Sequence, residues 1–558
     1  MVSETAAANG GGNDPVDEFD VVVIGAGVSG MYQLHRLREL GLTTLVLEAG
    51  TGVGGTWYWN RYPGARFDSE SYTYGYSWSA ELLAEWDWKE RFSPQPENLK
   101  YLEFVADKFD LRRDMRFESR VRSAVFDSVG NRWDVETEDG FRTRSTFLIT
   151  ALGALSVPVM PKIDGVEPGG ADRFLGPSFH TSDWPKDEVD FAGKRVAVIG
   201  TGATAVQLIP EVAKTADRLS IFQRTPNWCA PLHNGPIEQA EMDDIKTRYQ
   251  EIFDTCNGTF AGFQHVPDRR KALEISAEER EELWERLWAE PGFGIWMANF
   301  RDVLVNEEAN ALMTEFAARK IRDRIDDPAI AEKLIPTNHG FGTRRVPMET
   351  NYYEVYNQSN VELVDLNDTP IDAVTETGIR TTGPDGEPTD RDFDLIIYAT
   401  GFDAVTGAFE RIDIRGVDGV QLRDVWADGP RTYLGMQISG FPNMFTLVGP
   451  NNAATFCNMP RCIEQNVDWV TAFLQYLGDN GLTRVEATEE AMNAWGEHVV
   501  TSGERMLFTK VNSWFTGVNS NLDGHSERRF LLYAAGLPTY RDMADQVSAK
   551  DYEGFILS

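Results

Sequence analysis

Two fully apolar runs rich in β-branched residues stand out along the chain, at 20–25 (DVVVIG) and 195–200 (RVAVIG). Neither run alternates apolar and polar positions, so each predicts a short strand that is buried on both faces of a sheet. A helical segment and then a second apolar strand follow each run, and these second strands lie at 43–47 and 219–223. The repeated strand–helix–strand pattern predicts an α/β fold with two similar units.

Other segments predict elements around these units. Residues 95–110 have the spacing of an amphipathic helix. Alternating positions or short apolar runs predict further strands over 121–137, 141–152, 369–382, 394–401 and 443–449.

A helical insert interrupts the second unit. The capping box Ser276–Glu279 predicts the start of a helix within it. Two apolar stripes at helical spacing predict that the insert packs as a small core, although it could also line a substrate cavity. The stripes consist of Leu283, Trp284, Leu287 and Trp288, and of Ala309, Leu312, Met313, Phe316 and Ala317.

Composition narrows the class of protein. The chain has 558 residues, enough for two to four domains, and its net charge of −34 argues against nucleic acid or an anionic membrane as a partner. Residues 1–20 are small, polar and acidic, which predicts a disordered tail rather than a signal peptide. Because no stretch of about 18 apolar residues is present, no membrane span is predicted. Four cysteines in so long a chain favour a reducing cytoplasm.

Glycines follow both buried strands. The first unit reads Gly25-x-Gly27-x-x-Gly30 and the second reads Gly200-x-Gly202-x-x-Ala205. Glycine at these positions permits a tight turn and a close approach of the backbone to a pyrophosphate at the start of a helix. The sequence therefore predicts two Rossmann-like dinucleotide sites.

The ends of the second strands differ between the two units. Glu48 ends the first and would accept hydrogen bonds from ribose hydroxyls while repelling a 2′-phosphate. Arg224, followed by Thr225, ends the second and suits a 2′-phosphate, although it could instead be a solvated cation. The residues thus predict FAD or NAD in the first unit and NADPH in the second. Because hydride transfer between two such cofactors is flavin chemistry, a flavoprotein reduced by NADPH is expected.

A reduced flavin could reduce a disulfide, pass electrons on or activate oxygen. The spacing of Cys457 and Cys462 would suit a redox pair, but such a pair belongs near the flavin, soon after the first glycine loop, where this chain has no cysteine. The two residues are therefore interpreted as ordinary thiols near the last buried strand.

Two motifs carry a family resemblance. The first, Phe174-x-Gly176-x-x-x-His180-x-x-x-Trp184-Pro185, lies between the two glycine loops. The second is Gly54-Gly55-x-Trp57-x-x-x-x-Tyr62-Pro63-Gly64-x-x-x-Asp68. Together they resemble the fingerprints of type I Baeyer–Villiger monooxygenases, and the resemblance runs from about residue 19 to the C-terminus. Heteroatom-oxidising flavin monooxygenases usually lack a tryptophan at the position of Trp184.

The resemblance implies a mechanism and its catalytic residues. NADPH reduces the flavin, O2 adds at C4a, and the deprotonated peroxyflavin attacks a ketone to give an ester or lactone. By resemblance, Arg345 is the catalytic arginine and Asp68 orients it. A guanidinium suits this role because it stabilises an oxyanion without readily losing a proton.

The resemblance also implies further roles. Arg344 stands where relatives often carry lysine near the 2′-phosphate, and Trp514 would close over the nicotinamide ribose. Phe174 and Trp184 would anchor a hinge between the nucleotide domains, with Gly176 in the same fingerprint and His180 as a hydrogen-bonding switch. The expected FAD residues are Gly25, Gly27, Gly30, Glu48, Gly55, Trp57 and Asp68. The expected NADP residues are Gly200, Gly202, Ala205, Arg224, Thr225, Arg344 and Trp514.

The predicted architecture is two Rossmann-like domains, for FAD and NADPH, with a helical insert. Its parts are a disordered tail (1–18), an FAD-binding domain (19–155 and 395–558), an NADP-binding domain (156–225 and 338–394) and the insert (226–337). The expected substrate is a small apolar ketone, and no metal site is predicted. A heteroatom-oxidising monooxygenase is the first alternative, and a non-catalytic redox sensor is the second. The particular ketone and the oligomeric state stay open.

Overall fold

The computed structural model describes residues 16–167, 169–170, 172–453 and 457–558. Its strands in this part of the chain are β1 Asp17–Ile24, β2 Thr44–Leu47, β3 Met115–Arg116, β4 Val121–Asp127, β5 Arg132–Thr137, β6 Arg142–Thr150, β7 Ser178–His180, β8 Arg195–Ile199, β9 Arg218–Gln223, β10 Ala230–Pro231, β11 Met348–Glu349, β12 Val361–Asp365, β13 Ile371–Val374, β14 Gly378–Thr382, β15 Pro388–Asp392, β16 Leu395–Tyr398, β17 Asp413–Arg415, β18 Met444–Thr446, β19 Val485–Ala487 and β20 Phe555–Leu557.

The α-helices in the same residues are α1 Val28–Glu39, α2 Thr56–Trp59, α3 Ser71–Tyr74, α4 Ala80–Glu85, α5 Gln95–Lys108, α6 Ala203–Ala213, α7 Gln239–Thr247, α8 Tyr249–Gly258, α9 Ala277–Ala289, α10 Gly294–Met297, α11 Glu307–Arg322, α12 Pro328–Leu334, α13 Gly407–Glu410, α14 Leu422–Val425, α15 Met459–Asp479, α16 Glu489–Gly503 and α17 Leu537–Ser548. No helix among the described residues is long and apolar enough to cross a membrane.

The first large sheet has the strand order β17-β4-β5-β6-β1-β2-β3, with β18 also paired to β6. Strand β6 pairs with β5 near its start, through residues 142–145, and with β18 near its end, through residues 148–150. The strands β1, β2 and β6 are parallel, as βαβ connections require, whereas β4, β5 and β6 form an antiparallel meander. A segment from the distant C-terminal part of the chain therefore completes the sheet that the N-terminus begins.

The second large sheet is parallel throughout, in the order β12-β9-β8-β16-β7. A three-stranded antiparallel sheet, β13-β14-β15, follows in sequence between β12 and β16. Val21, Val22 and Val23 of β1 are 0% exposed, and so are Val196 and Val198 of β8. The predicted α/β class, with two Rossmann-like sheets whose first strands are buried on both faces, is confirmed.

Helix α15 covers the first unit by packing against α1. Tyr32 Oη donates a hydrogen bond to Asp468 at 2.7 Å, and Gln33 Nε2 donates one to Thr471 at 3.1 Å. Gln33 is fully buried, so its amide needs this partner across the helix pair. Both contacts join residues more than 400 positions apart in sequence.

The predicted capping box and most of the predicted apolar stripes of the helical insert are present, although α7 and α8 precede them. Ser276 Oγ accepts from the Glu279 backbone N–H, and the Glu279 carboxylate accepts from the Ser276 N–H, so the capping box is present. Leu283, Trp284, Leu287 and Trp288 are buried, and so are Ala309, Met313, Phe316 and Ala317. The prediction for Leu312 is wrong: its side chain is 36% exposed, because it lies at the edge of the buried face of α11.

The structure corrects three further expectations. Strand β1 begins at Asp17, so the end of the predicted tail pairs with β6, while residues 1–15 lie outside the described part of the chain. Cys457 and Cys462 are joined in a disulfide rather than being free thiols, because the start of α15 brings residues five positions apart together. No strand was predicted in the fingerprint segment, yet Ser178–His180 forms the edge strand β7 beside β16.

Two leucines of the insert provide a matched test of its packing. Leu283→Ala should lower the free energy of unfolding by about 2–5 kcal/mol, because it leaves a cavity in a buried stripe. Leu312→Ala should cost less than about 1 kcal/mol, because this side chain is partly exposed. Chemical denaturation followed by circular dichroism measures both, and equal losses would contradict the assignment of the two faces.

Candidate active site

The two glycine loops have the same geometry. Gly25 has φ +108° and Gly200 has φ +107°, in the left-handed region that favours glycine. A Cβ on either residue would lie 2.5 Å from a backbone oxygen, that of Ala151 in the first unit and that of Ala399 in the second. Each glycine is therefore required, because the backbone just after the neighbouring parallel strand leaves no room for a Cβ.

Both loops lead into helices whose first turns are open to a ligand. Helix α1 has Gly27 as its N-cap and α6 has Gly202, and no side chain of the described residues caps either helix. Unpaired N–H groups and the helix dipole favour a phosphate at this position. The two loops thus fit the pyrophosphates of two dinucleotides, whereas Ala205 lies buried within α6.

Glu48 and Gly55, two of the predicted FAD residues, lie against the first glycine loop. The buried Glu48 carboxylate accepts from the Ala26 and Gly50 backbone N–H groups, each at 2.7 Å. Gly55, with φ +53°, lies against Gly27, and a Cβ on Gly55 would be 2.9 Å from the Gly27 Cα. Trp57 follows on α2, where it is 7% exposed and donates to Tyr74 Oη at 3.1 Å.

Arg224 and Arg344 form a pair of neighbouring cations in the second unit. Burial lowers the pKa of Arg344, and the positive charge of Arg224 lowers it further. Neither guanidinium forms an ion pair with a described residue, and the buried Arg344 Nε has no hydrogen-bond partner among them. Two cations held together without an acid fit a dianionic group such as a 2′-phosphate. Thr225 is adjacent, with its carbonyl accepting from Thr201.

Arg345 and Asp68 meet across 277 positions of sequence. Arg345 Nη2 donates to Asp68 Oδ2 at 2.8 Å, as the resemblance implies. Burial raises the pKa of Asp68, and the guanidinium acts against this rise. The Arg345 side chain is 37% exposed and lies over the ring of Phe293 at 5.0 Å, with Nε unpartnered. Asp68 therefore holds the guanidinium at Nη2, and Nε of Arg345 has no acceptor among the described residues.

Gln207 of α6 ties the segment that carries Asp68 to the second unit. Gln207 Nε2 donates to the Arg66 carbonyl at 3.0 Å and to Asp68 Oδ1 at 3.3 Å, while its Oε1 accepts from Tyr62 Oη at 2.9 Å. Gly64, with φ +83°, lies against the same helix, and a Cβ there would be 2.3 Å from the Gln207 carbonyl oxygen. Sequence reasoning missed Gln207, although a lone amide in the otherwise apolar first turns of α6 was a signal for it.

A second acid–base pair lies two residues from Asp68 and was also missed. His265 Nε2 is 2.8 Å from Glu70 Oε1, and their side chains are 13% and 5% exposed. Burial works to lower the pKa of His265, but the Glu70 carboxylate outweighs it, so the pKa is raised. Helical periodicity gave no signal for His265, which lies in a loop of the insert.

The fingerprint residues lie at the edge of the second sheet. His180 Nδ1 accepts from the Ser182 N–H at 3.2 Å and lies 2.7 Å from Ser182 Oγ. Burial lowers the pKa of His180 to about 4, so the imidazole is neutral at pH 7. Phe174 packs beside the β8 and β16 core and against Gly176, while Trp184 lies 5.5 Å from Phe179. No hydrogen bond or ion pair within the described ranges joins them to Asp68 or Arg345, and the hinge role stays a prediction.

Trp514 begins a short 3-10 turn, is partly exposed and packs edge-on against Phe515, with ring centroids 4.5 Å apart. The segment that follows it reaches the cation pair, because Arg224 Nη1 donates to Ser520 Oγ at 2.8 Å. The predicted contact of Trp514 with the nicotinamide ribose stays a prediction.

Comparisons with known proteins agree with this geometry. The family described as Flavin-binding monooxygenase-like matches residues 19–235. The chain is 48% identical, over 97% of its length and 98% of the relative's, to 2-oxo-Delta(3)-4,5,5-trimethylcyclopentenylacetyl-CoA monooxygenase of Pseudomonas putida. It is 40% identical to cyclopentanone 1,2-monooxygenase of Comamonas sp. (strain NCIMB 9872), over 100% of this chain and 99% of that one.

A solved structure extends the similarity to three dimensions. The crystal structure of OTEMO in complex with FAD and NADP superposes with a TM-score of 0.92, at 48% identity. The match covers 98% of this chain and 100% of that one. Two dinucleotide loops of the kind described above are therefore found here in a fold that holds both cofactors in a relative.

The pair of His265 and Glu70 predicts a pH-dependent contribution to stability. Because the pKa of folded His265 is raised above its ordinary value of 6.5, its contribution is complete below pH 6.5 and is lost as the pH rises through the folded pKa. The difference in melting temperature between the wild type and His265→Gln should therefore be largest at low pH and shrink as the pH rises.

The matched control is His498→Gln. Burial lowers the pKa of His498, so its contribution is lost as the pH falls, and the trend should have the opposite sign. Thermal unfolding across a pH series measures both variants. A pH-independent difference for His265→Gln would show that the buried pair does not titrate as described.

Proposed function

This chain belongs to the Baeyer–Villiger monooxygenases, and from this premise we propose that Arg345, oriented by Asp68, is its catalytic residue and that its substrate is a small apolar ketone. The enzyme is an FAD-containing, NADPH- and O2-dependent oxidoreductase that converts a ketone into an ester or lactone. When bound, the flavin supplies the redox chemistry, since it takes hydride from NADPH and activates O2.

The observation that carries the proposal is the hydrogen-bonded pair of Arg345 and Asp68. Oxygen insertion beside a carbonyl places negative charge on oxygen, and a guanidinium stabilises that charge without giving up a proton. Asp68 is buried and binds one edge of the guanidinium, so Arg345 is fixed in direction. The partly exposed remainder of the side chain is left to face the reacting oxygen.

The surroundings of the pair support a preorganised site. Phe293, from the insert, lies under the guanidinium, and Gln207, from α6, binds Asp68 on its other oxygen. An aromatic ring under a guanidinium attracts the positive charge and also gives the site an apolar surface. The insert thus supplies part of the wall around Arg345, which agrees with an apolar ketone as the substrate.

We assign the cofactors to the two loops by their charge. Gly25, Gly27 and Gly30 with the start of α1 would hold the FAD pyrophosphate, and Glu48 would take the ribose. Gly200 and Gly202 with the start of α6 would hold the NADPH pyrophosphate. The cation pair Arg224 and Arg344 would bind its 2′-phosphate, Thr225 would assist there, and Trp514 would cover the nicotinamide ribose.

Arg345→Ala should leave anaerobic flavin reduction by NADPH intact but lower ester or lactone formation by at least about 10²–10³-fold, because an oxyanion stabiliser is lost. Arg345→Lys is the control that keeps the charge but loses the planar fork bound by Asp68. Stopped-flow absorbance measures reduction, and gas chromatography measures products from cyclic and linear ketones. Ester formation at the wild-type rate in Arg345→Ala would rule out the proposed role.

The same assay separates the alternative activity. An enzyme that oxidises amines or sulfides but none of the ketones would be a heteroatom-oxidising flavin monooxygenase. Arg345 would then have no oxyanion adduct to stabilise.

Arg224→Ala and Arg344→Ala should each raise the KM for NADPH about 10–100-fold, because a charge-assisted hydrogen bond to phosphate contributes about 1.5–3 kcal/mol. The KM for NADH, which lacks the 2′-phosphate, should change little. Arg380→Ala is the matched control, since Arg380 is exposed and already paired with Asp390 in the antiparallel sheet. An equal loss for NADPH and NADH would contradict the assignment.

A further inference from the structure

Asp403, Glu410 and His525 converge where the residues that follow β16 meet the segment after Trp514. One potential ligand atom of each lies within 4.8 Å of the others. Asp403 precedes α13, Glu410 ends it, and His525 belongs to the segment that follows Trp514. The sequence predicts no metal site here because His525 lies more than 110 positions beyond the two acids.

One oxygen of the Asp403 carboxylate has no partner among the residues that the structure describes. Asp403 is 6% exposed, and its Oδ1 is buried without a hydrogen bond to any described residue. A buried carboxylate oxygen without a partner is costly, so such a group indicates a ligand. The site is also built closely around it: a Cβ on Gly407 would lie 2.4 Å from the Asp403 Cγ. Asp403 therefore occupies space that only a glycine at position 407 leaves free.

The three side chains are separated by a gap that protein contacts do not fill. Within the described residues, none of the three forms a hydrogen bond or an ion pair with another. Arg411 faces Asp403, and Arg529 lines the adjoining cavity with Glu410 and His525, yet neither arginine pairs with the acids. The two carboxylates and the imidazole are left facing one another.

This donor set suits a first-row divalent cation. One imidazole nitrogen and two carboxylate oxygens are ligands that Zn²⁺ accepts, and a water molecule completes a tetrahedral site. Ligand atoms in such a site lie about 3.4 Å apart when each bond is about 2.1 Å. Rotamer changes that move the ligand atoms of the exposed Glu410 and the half-buried His525 by up to about 1.5 Å would bring the present spacing to that of a tetrahedral site.

We infer that Asp403, Glu410 and His525 form a Zn²⁺-type divalent cation site that fastens the segment after Trp514 to the residues around α13. The same segment carries Ser520, which accepts a hydrogen bond from Arg224 of the cation pair. Asn519 also reaches the carbonyl of Phe402, next to Asp403. A cation bound at His525 holds this segment across the 2′-phosphate position, so it slows the departure of NADP+.

The test uses tag-free holoenzyme with FAD and measures Zn²⁺ binding by isothermal titration calorimetry. One Zn²⁺ should bind per chain, and His525→Gln and Glu410→Gln should each weaken binding by more than about 100-fold, because loss of an outer partner of a metal ligand costs only about 10–100-fold. Glu527→Gln, two residues from His525 on the same segment, is the matched control and should bind like the wild type. Co²⁺ absorption beyond the flavin band should show a nitrogen ligand in the wild type and lose that signature in His525→Gln.

Two results would overturn the inference. One is Zn²⁺ binding by His525→Gln with the wild-type affinity and stoichiometry; the other is the absence of stoichiometric binding in the wild type. Asp403→Asn tests the buried ligand. If this variant does not fold, the Zn²⁺ affinities of His525→Gln and Glu410→Gln test the site instead. NADP+ release, followed by stopped-flow flavin absorbance, should slow with Zn²⁺ in the wild type and not in His525→Gln. An unchanged rate of NADP+ release with Zn²⁺ bound would show that the cation does not fasten the segment. None of these measurements requires ketone turnover.

Discussion

The contact between Asp68 and Arg345 depends on both halves of the molecule. Asp68 lies in the segment after the first glycine loop, and Arg345 follows the insert, so neither can be placed by local structure. Burial disfavours a charged Asp68, and the guanidinium offsets that cost only in the assembled fold. Gln207 adds the constraint that α6 must be docked on the same segment before both Asp68 oxygens have partners. The chemistry of the site is thereby linked to the packing of the two units.

The two units also show how one geometry is given two specificities. Gly25 and Gly200 have nearly equal φ values and are crowded by equivalent backbone oxygens, so the loops hold the same kind of group in the same way. The difference lies at the end of the next strand in each unit. The first unit has the buried Glu48 carboxylate there, bound to backbone N–H groups. The second unit has the Arg224 guanidinium there, with the guanidinium of Arg344 as its neighbour. Charge, rather than shape, separates the two sites.

Much of the fold followed from the sequence because its signals are local. Buried strands, glycine turns, the capping box and most of the apolar stripes depend on neighbours a few residues away, and the structure has them where periodicity placed them. The prediction that Leu312 is buried was wrong, because the burial of a residue at the edge of a helix face depends on what packs against that edge. Gln207, the His265–Glu70 pair and the pairing of β7 with β16 could not be found from spacing, since each depends on contacts between distant segments. The pairing of Asp68 with Arg345 came from the family resemblance and from no periodicity.

Strand β6 pairs with β5 near its start and with β18 near its end. The first sheet therefore cannot be completed until β18 has been synthesised. The second sheet gains its last internal strand, β16, at residue 398, whereas the first sheet waits for β18 at residues 444–446. A chain emerging from the ribosome can therefore close the unit that begins second before it closes the unit that begins first. Until then the end of β6 has an unpaired edge, and the nascent protein carries a finished domain inside an unfinished one.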